Sequence, residues 1–333
     1  MAQDRLIPSL CEELQAHFKM SDWLDRKVLI TGISGFTGRH LLHSLLPEKA
    51  RIAGFDLAID FKNDDVKSFT GSLLNQHRID EVIAATRPEI IFHLAGILKT
   101  DLPEQFYTIN VGGTAALLEA IVRSGQLPRL ILFSSSAVYG ESRGVNPISE
   151  AKTVEPLTSY GHSKLAMEWI AKSYAAEYDI PIVLCRPFNL VGPGLAATMV
   201  LSSFARQLAC AERGLKKTIE VGNLEARRDF LDVRDGVQAY RLLAEHGQAG
   251  ETYNVCSGQA ISIRVCLEIL LSFSDTRPDI VHDPNRIQKD DLVVQVGDSS
   301  KIHALTGWEP RIPLEKSLKD LLDDWRGRAD ACE

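Results

Sequence analysis

The chain lacks most marks of a specialised protein class. Its six cysteines are scattered over 333 residues, none in a C-x-x-C pair. No Cys/His cluster has the spacing of a zinc site, so no metal is implied. The plain reading is reduced thiols in a cytoplasm rather than a disulfide framework. Positive charge is also wanting: the net charge is −7. A nucleic-acid partner, which needs a basic surface to neutralise phosphates, has no electrostatic support. No apolar run approaches the length of a membrane span, and the amino terminus lacks the charged-then-apolar order of a secretory signal. The expectation is a cytoplasmic protein with no membrane partner. Repeats and low-complexity tracts are absent, and with 45% hydrophobic and 24% charged residues the chain is not disordered.

What remains is a chain long enough for one large α/β domain with a smaller lobe. Residues 1–25 stand apart. Leu10, Leu14 and Phe18 recur at helical spacing, which predicts an N-terminal helical extension, docked on the body or serving as an oligomer arm. Alternating signals follow. "KVLITG", "RIAGFDL", "EIIFHLAG", "RLILFSSS" and "IPIVLCRPFNLVGPG" read as strands, with helices such as "GRHLLHSLLPEKA" and "NVGGTAALLEAIVRSG" between them. Strands that are continuous apolar runs, each followed by a helix, indicate a doubly wound parallel sheet over residues 26–188. Past residue 189 the pattern loosens into short strands and helices. This predicts a smaller C-terminal α/β lobe over 189–333, partly threaded back into the sheet.

"LITGISGFTGRHLL" joins the first strand to a helix and carries Gly32, Gly35 and Gly38, with Phe36 and Thr37 between the last two. Glycines there allow a tight turn and close approach of a pyrophosphate, and the helix N-terminus offers free N–H groups. Strand before and helix after are the context that this loop needs to bind a dinucleotide. Asp56 ends the second strand. A carboxylate there accepts from both ribose hydroxyls and repels a 2′-phosphate, which favours NAD(H) while leaving NADP(H) open. Leu94, Ala95 and Gly96 close a buried strand on the side where ligands sit in open α/β sheets. Ser134, Ser135 and Ser136 end the next strand. "SYGHSKLAMEWIAKSY" then sets Tyr160 and Lys164 one helical turn apart, on one face. A tyrosine ordinarily titrates near 10, too high for a base at neutral pH. A nearby ammonium and the positive nicotinamide favour the phenolate and bring it toward the working range.

Taken together, these motifs resemble the extended short-chain dehydrogenase/reductase superfamily, the NAD-dependent epimerase/dehydratase group that acts on nucleotide sugars. The resemblance covers roughly residues 26–326 and implies a Rossmann-type fold. It also implies that Tyr160 is the general acid/base and that Lys164 lowers its pKa and holds the nicotinamide ribose. A serine would bond the reacting oxygen: Ser135 by counting back from Gly140, or Ser136 one place on. Family members commonly pair through the Tyr160 helix and its predecessor, so a homodimer is expected.

The C-terminal segments are similar to those of GDP-4-keto-6-deoxy-mannose reductases and their kin, the GDP-mannose 4,6-dehydratases. By that likeness Asn189, Arg228, Arg286 and Asp291 face the substrate. Arg228 reads as a clamp on a diphosphate or as an ion-pair partner of Asp229 or Asp232; His93 reads as structural or as lining the cofactor site. Dehydratases of this kind carry an acid directly after the catalytic Ser/Thr. Here the run is "SSSAVYG", with Ala137 and Val138 on that ground. The expectation is therefore a reductase of a 4-keto sugar. A 4-epimerase with tightly held NAD uses the same residues and stays open, as does a cofactor-binding regulator without catalysis. "QKDD" departs from the usual segment, Gln288 standing where an arginine is usual.

Overall fold

A computed structural model of the chain describes residues 23–140, 147–286, 294–328 and 332. Most of the expected N-terminal extension, together with Asp291, falls outside the described residues. The first apolar run becomes β1 (Lys27–Thr31), in which every residue but Lys27 is buried, as in a strand covered on both faces. Helix α1 (Phe36–Leu45) follows the glycine loop, then β2 (Arg51–Asp56), β3 (Val66–Thr70), α2 (Gln76–Thr86) and β4 (Ile90–His93). A π-helical turn at Tyr107–Gly112 leads into α3 (Gly113–Ser124), followed by β5 (Arg129–Phe133), α4 (Ser159–Tyr178) and β6 (Ile182–Pro187).

Beyond the sixth strand the chain builds a second layer: β7 (Asn189–Val191), α5 (Val200–Glu212), β8 (Thr218–Val221) and β9 (Arg227–Asp232). It then returns through α6 (Val233–His246) to β10 (Thr252–Val255), which pairs with β6 in the main sheet. The remaining elements are β11 (Ala260–Ser262), α7 (Ile263–Ser272), β12 (Asp279–His282), β13 (Val294–Gln295), α8 (Ser300–Thr306) and α9 (Leu314–Gly327).

The main sheet is seven parallel strands in the order β3-β2-β1-β4-β5-β6-β10. Strand order reverses between β1 and β4, which places the ligand crevice at their carboxyl ends. One face packs Ile30, Leu41, Phe92 and Tyr240; the other packs Leu29, Ile83, Leu117 and Leu132. A separate core in the lobe gathers Phe204, Leu208, Leu267, Leu318 and Trp325. Phe36 packs against both the first core and the lobe core, so the start of α1 joins the two parts.

Three features differ from the sequence reading. Strand β3 and helix α2 were not distinguished, because β3 is a sheet edge with one fully buried residue and carries no apolar run. The run through "IPIVLCRPFNLVGPG" is two strands broken at Phe188, and β7 leaves the main sheet to pair with β9. Cys210 and Cys332 form a disulfide, their Cα atoms 5.6 Å apart. This corrects the expectation of reduced thiols throughout. The pair lies 122 positions apart in sequence, so no spacing pattern reveals it. Cys185, Cys256 and Cys266 are buried free thiols. Among the described residues, no helix is long and apolar enough to cross a membrane.

Candidate active site

The glycine loop folds tightly on itself. A Cβ on Gly38 would lie 2.2 Å from the Gly32 carbonyl oxygen, so only glycine lets α1 begin this close to β1. Gly32 abuts Ala95, and the Ala95 amide donates to Thr31 Oγ1 at 3.3 Å. Leu94 donates to the Thr31 carbonyl at 3.1 Å. The loops after β1 and β4 are thus fastened side by side, with the exposed Gly35 and the half-buried Phe36 and Thr37 at the start of α1. Open backbone at a helix N-terminus beside a strand-end crevice fits a dinucleotide pyrophosphate. At the end of β2, Asp56 accepts from the amides of Ser34 (2.9 Å) and Leu57 (2.7 Å).

Helix α4 brings the second group together. Thr158 caps it by accepting from the Gly161 amide at 3.1 Å. A Cβ on Gly161 would sit 2.7 Å from the Ala137 carbonyl oxygen. Glycine at that position lets the first turn of α4 dock on the turn Ser136–Tyr139, which presents Tyr160 to Ser135. Ser135 Oγ accepts from the Ala137 amide at 3.1 Å, so its own proton is available to the phenol. Ser136 turns the other way: its hydroxyl meets Gln295 Oε1 at 3.4 Å, and its carbonyl accepts from Gln295 Nε2 at 3.2 Å. Of the two serines, Ser135 is the one bonded to Tyr160. Phe106 packs edge-on against the Tyr160 ring, centroids 5.8 Å apart.

Lys164 is buried. Its Nζ donates to the Phe133 carbonyl at 2.9 Å and stands 5.9 Å from the centre of the Tyr160 ring. Burial lowers its pKa to about 8, with Glu168 acting in the opposite direction. Burial raises Tyr160 to about 12, only partly opposed by the Ser135 hydrogen bond. In the protein alone, without the nicotinamide's positive charge, Lys164 does not draw the phenol down. The ammonium is aimed at a backbone carbonyl, desolvation dominates, and the phenol keeps its proton at neutral pH.

Two further residues complete the group. Asn110, in the π-helical turn, accepts from the Ile97 amide at 2.8 Å and donates to the Ile97 carbonyl at 3.2 Å and to Ser163 Oγ at 3.0 Å. It ties the loop after β4 to α4, and a Cβ on Gly96 would press on it at 2.8 Å. The sequence reading passed over Asn110; its signal was a polar residue opening the apolar helix "NVGGTAALLEAIV". His93 is 1% exposed and bonded to Thr31 Oγ1 (2.8 Å) and Thr114 Oγ1 (3.0 Å). Burial, and then the Lys164 charge, lower its pKa to about 3, so it is neutral and structural.

On the substrate side the residues divide. Asn189 donates to the Asp229 carbonyl at 2.9 Å, joining β7 to β9. Arg228, in β9, donates to the Arg227 carbonyl at 3.0 Å. The carboxylate of Asp229 is buried on Ser257, Gly258 and Gly297, while Asp232 caps α6 and pairs with Arg234. Arg286 is paired with Glu220 at 2.7 Å and with Asp283 at 3.4 Å. Arg186 lies inside β6 and is buried against Glu168 through two bonds of 2.8 and 2.6 Å. Burial would lower its pKa; the Glu168 carboxylate more than reverses this.

Glycine loop, Ser-Tyr-Lys group and sheet order together define a dinucleotide-dependent oxidoreductase site. Residues 28–256 match the NAD dependent epimerase/dehydratase family, and the chain belongs to that family of NAD(P)-dependent enzymes, the extended short-chain dehydrogenase/reductases. It is 34% identical over 313 residues to the GDP-6-deoxy-D-mannose reductase of Pseudomonas aeruginosa, covering 92% of this chain and 99% of that protein. It is 32% identical to the GDP-6-deoxy-D-talose 4-dehydrogenase of Aggregatibacter actinomycetemcomitans, covering 88% and 95%. The solved structure of RMD from Pseudomonas aeruginosa complexed with NADPH superposes with a TM-score of 0.78 at 33% identity, covering 91% of this chain and all of that one.

Proposed function

We propose that the protein reduces a GDP-linked 4-keto-6-deoxy sugar with NAD(P)H, converting GDP-4-keto-6-deoxy-D-mannose to GDP-D-rhamnose. The observation that carries this reading is the state of Tyr160. Its phenol is protonated at neutral pH, bonded to Ser135 and set beside Lys164, which is the state a general acid needs. A reduced nicotinamide, when bound, supplies the hydride to C4. Tyr160 gives its proton to the carbonyl oxygen, turning C=O into CH–OH, and is reprotonated from solvent. Ser135 orients that oxygen by donating to it. Lys164, held by Phe133, supplies positive charge while the phenol is ionised. Asn110 keeps the loop after β4 against α4, and Gly32, Gly35, Phe36, Thr37 and Gly38 receive the pyrophosphate.

Sequence positions 136–138 offer no carboxylate to assist loss of water, which speaks against 4,6-dehydration. Asn189, Arg228 and Arg286 are assigned to the diphosphate side of the substrate. The homodimer belongs to this reading too, supported by Trp169 on α4, which is 62% exposed. The test is incubation of purified protein with GDP-4-keto-6-deoxy-D-mannose and NADPH or NADH, followed by nicotinamide absorbance. Stoichiometric oxidation of cofactor is the expected result. D-Mannose and D-talose are epimers at C4, so the product's C4 configuration separates a rhamnose-forming from a talose-forming enzyme. No oxidation, with NAD⁺ released only on denaturation, would replace the reductase by a 4-epimerase.

A further inference from the structure

A carboxylate at Asp56 speaks for NAD(H), yet the surroundings of Asp56 point elsewhere. Each of its oxygens already accepts one main-chain amide, Ser34 at 2.9 Å and Leu57 at 2.7 Å, which fixes the carboxylate in place. The residue whose amide donates to Asp56 is also held by an arginine, through its carbonyl: Arg39 Nε donates to the Ser34 carbonyl at 2.8 Å. Arg39 reaches this place from the first turn of α1, in the segment "GFTGR", and not from the strand that ends in Asp56. Its guanidinium lies 5.7 Å from the centre of the Phe61 ring and pairs with Asp60. Both partners of that pair are open to water, with side chains 40% and 67% exposed. Ser34 Oγ donates to the Ala58 carbonyl at 2.8 Å, which holds the chain after β2 against the loop.

We propose that Arg39 is the cofactor-selecting residue, and that the Asp60 carboxylate is an exchangeable stand-in for the 2′-phosphate of NADP(H). The proposal rests on the cofactor site assigned above. In a dinucleotide fold the adenosine ribose lies at the end of β2. A 2′-phosphate there stands beside Ser34, within reach of the arginine that Ser34 already holds. An exposed ion pair such as Arg39–Asp60 is weak and readily exchanged. A phosphate offers three oxygens to the planar guanidinium and binds it more strongly than one carboxylate oxygen. Asp56 is fixed by its two amide bonds, and its charge opposes a 2′-phosphate, so Arg39 must outweigh that repulsion for NADP(H) to be preferred. Asp60 is displaced when NADPH binds and stays in place when NADH binds, so the ratio of the two affinities is set by this pair.

The experiment uses the full-length protein and two fragments of the cofactor, 2′,5′-ADP and 5′-AMP, with binding read by titration calorimetry. The expected result is at least roughly tenfold tighter binding of 2′,5′-ADP, from one added charge-assisted phosphate contact. Arg39→Gln brings the two affinities to within about twofold of each other, with 5′-AMP binding preserved as the sign of an intact loop. Arg39→Lys restores part of the preference, because a point charge replaces the fork. Asp60→Asn, by removing the competing carboxylate, increases it. Equal affinities in the wild-type protein, or a preference that survives Arg39→Gln, overturn the proposal. Neither result touches the reductase reading, since no sugar and no turnover are involved. Failure of the sugar assay with the preference intact would leave Arg39 in its role. A protein that binds neither fragment would overturn both.

Discussion

The two ends of the proposed cofactor crevice are built on opposite principles. The adenosine end comes from one short stretch, Thr31 to Arg39, closed by Asp56. Its contacts are mostly backbone, and its charged pair, Arg39 with Asp60, is exposed. The nicotinamide end is gathered from four separate places: Gly96, Asn110, Ser135, and the helix that carries Tyr160 and Lys164. Asn110 and Lys164 are buried and Ser135 and Tyr160 half-buried, and the ionisable groups are displaced in opposite directions, Lys164 down to about 8 and Tyr160 up to about 12. An exposed end can select a cofactor at little cost to the fold. A buried end holds charge against desolvation, and so stores there the stability given up for chemistry.

That contrast can be broken by measurement, beginning with the buried end. His93, lowered to about 3 from its ordinary 6.5, binds a proton in the unfolded chain well before it does in the folded one. Stability present above pH 6.5 is lost as the pH falls toward 3, by up to about 5 kcal/mol from this residue. Denaturant melts at stepped pH should show a shallower acid slope for His93→Gln; an unchanged slope would remove His93 from the account. Glu168→Gln is next. It leaves the Arg186 guanidinium buried without its carboxylate and should cost about 3–5 kcal/mol in urea melts. A variant as stable as the wild type would show that the pair is dispensable.

Lys164→Met carries the opposite sign. Because the folded pKa is depressed, the wild type gains stability as the pH rises through about 8 toward the ordinary 10.5. Below that window the buried ammonium is a burden. Removing it should stabilise the fold by about 1–3 kcal/mol at pH 7, less the bond to Phe133, while turnover is lost. Loss of both stability and turnover would mean that Lys164 is structural. The smallest effect is expected at the exposed end. Asp60→Asn should shift stability by less than about 0.5 kcal/mol, and a larger loss would erase the contrast between the two ends.

The difference also explains what could be read from the sequence. The glycine loop and the buried strands were legible because each is a local pattern with a direct physical meaning. The Tyr160 and Lys164 spacing gained weight from chain order and family resemblance. Three-dimensional partners were not legible. Nothing in "SSSAVYG" says that Ser136 turns to Gln295, 159 positions away, while Ser135 meets Tyr160. Nor does the i, i+4 pair reveal that Lys164 spends its hydrogen bond on Phe133. Edge strand β3 was missed for want of an apolar run, and the Cys210–Cys332 bond for want of any rule linking them.

The most direct measurement is on Tyr160→Phe, with NADPH binding and reduction of GDP-4-keto-6-deoxy-D-mannose followed in the same preparation. Phenylalanine keeps the packing on Phe106 and removes only the proton donor. The account predicts unchanged cofactor affinity with turnover reduced by about 10²–10⁴-fold. A folded Tyr160→Phe protein that turned over at the wild-type rate would contradict it.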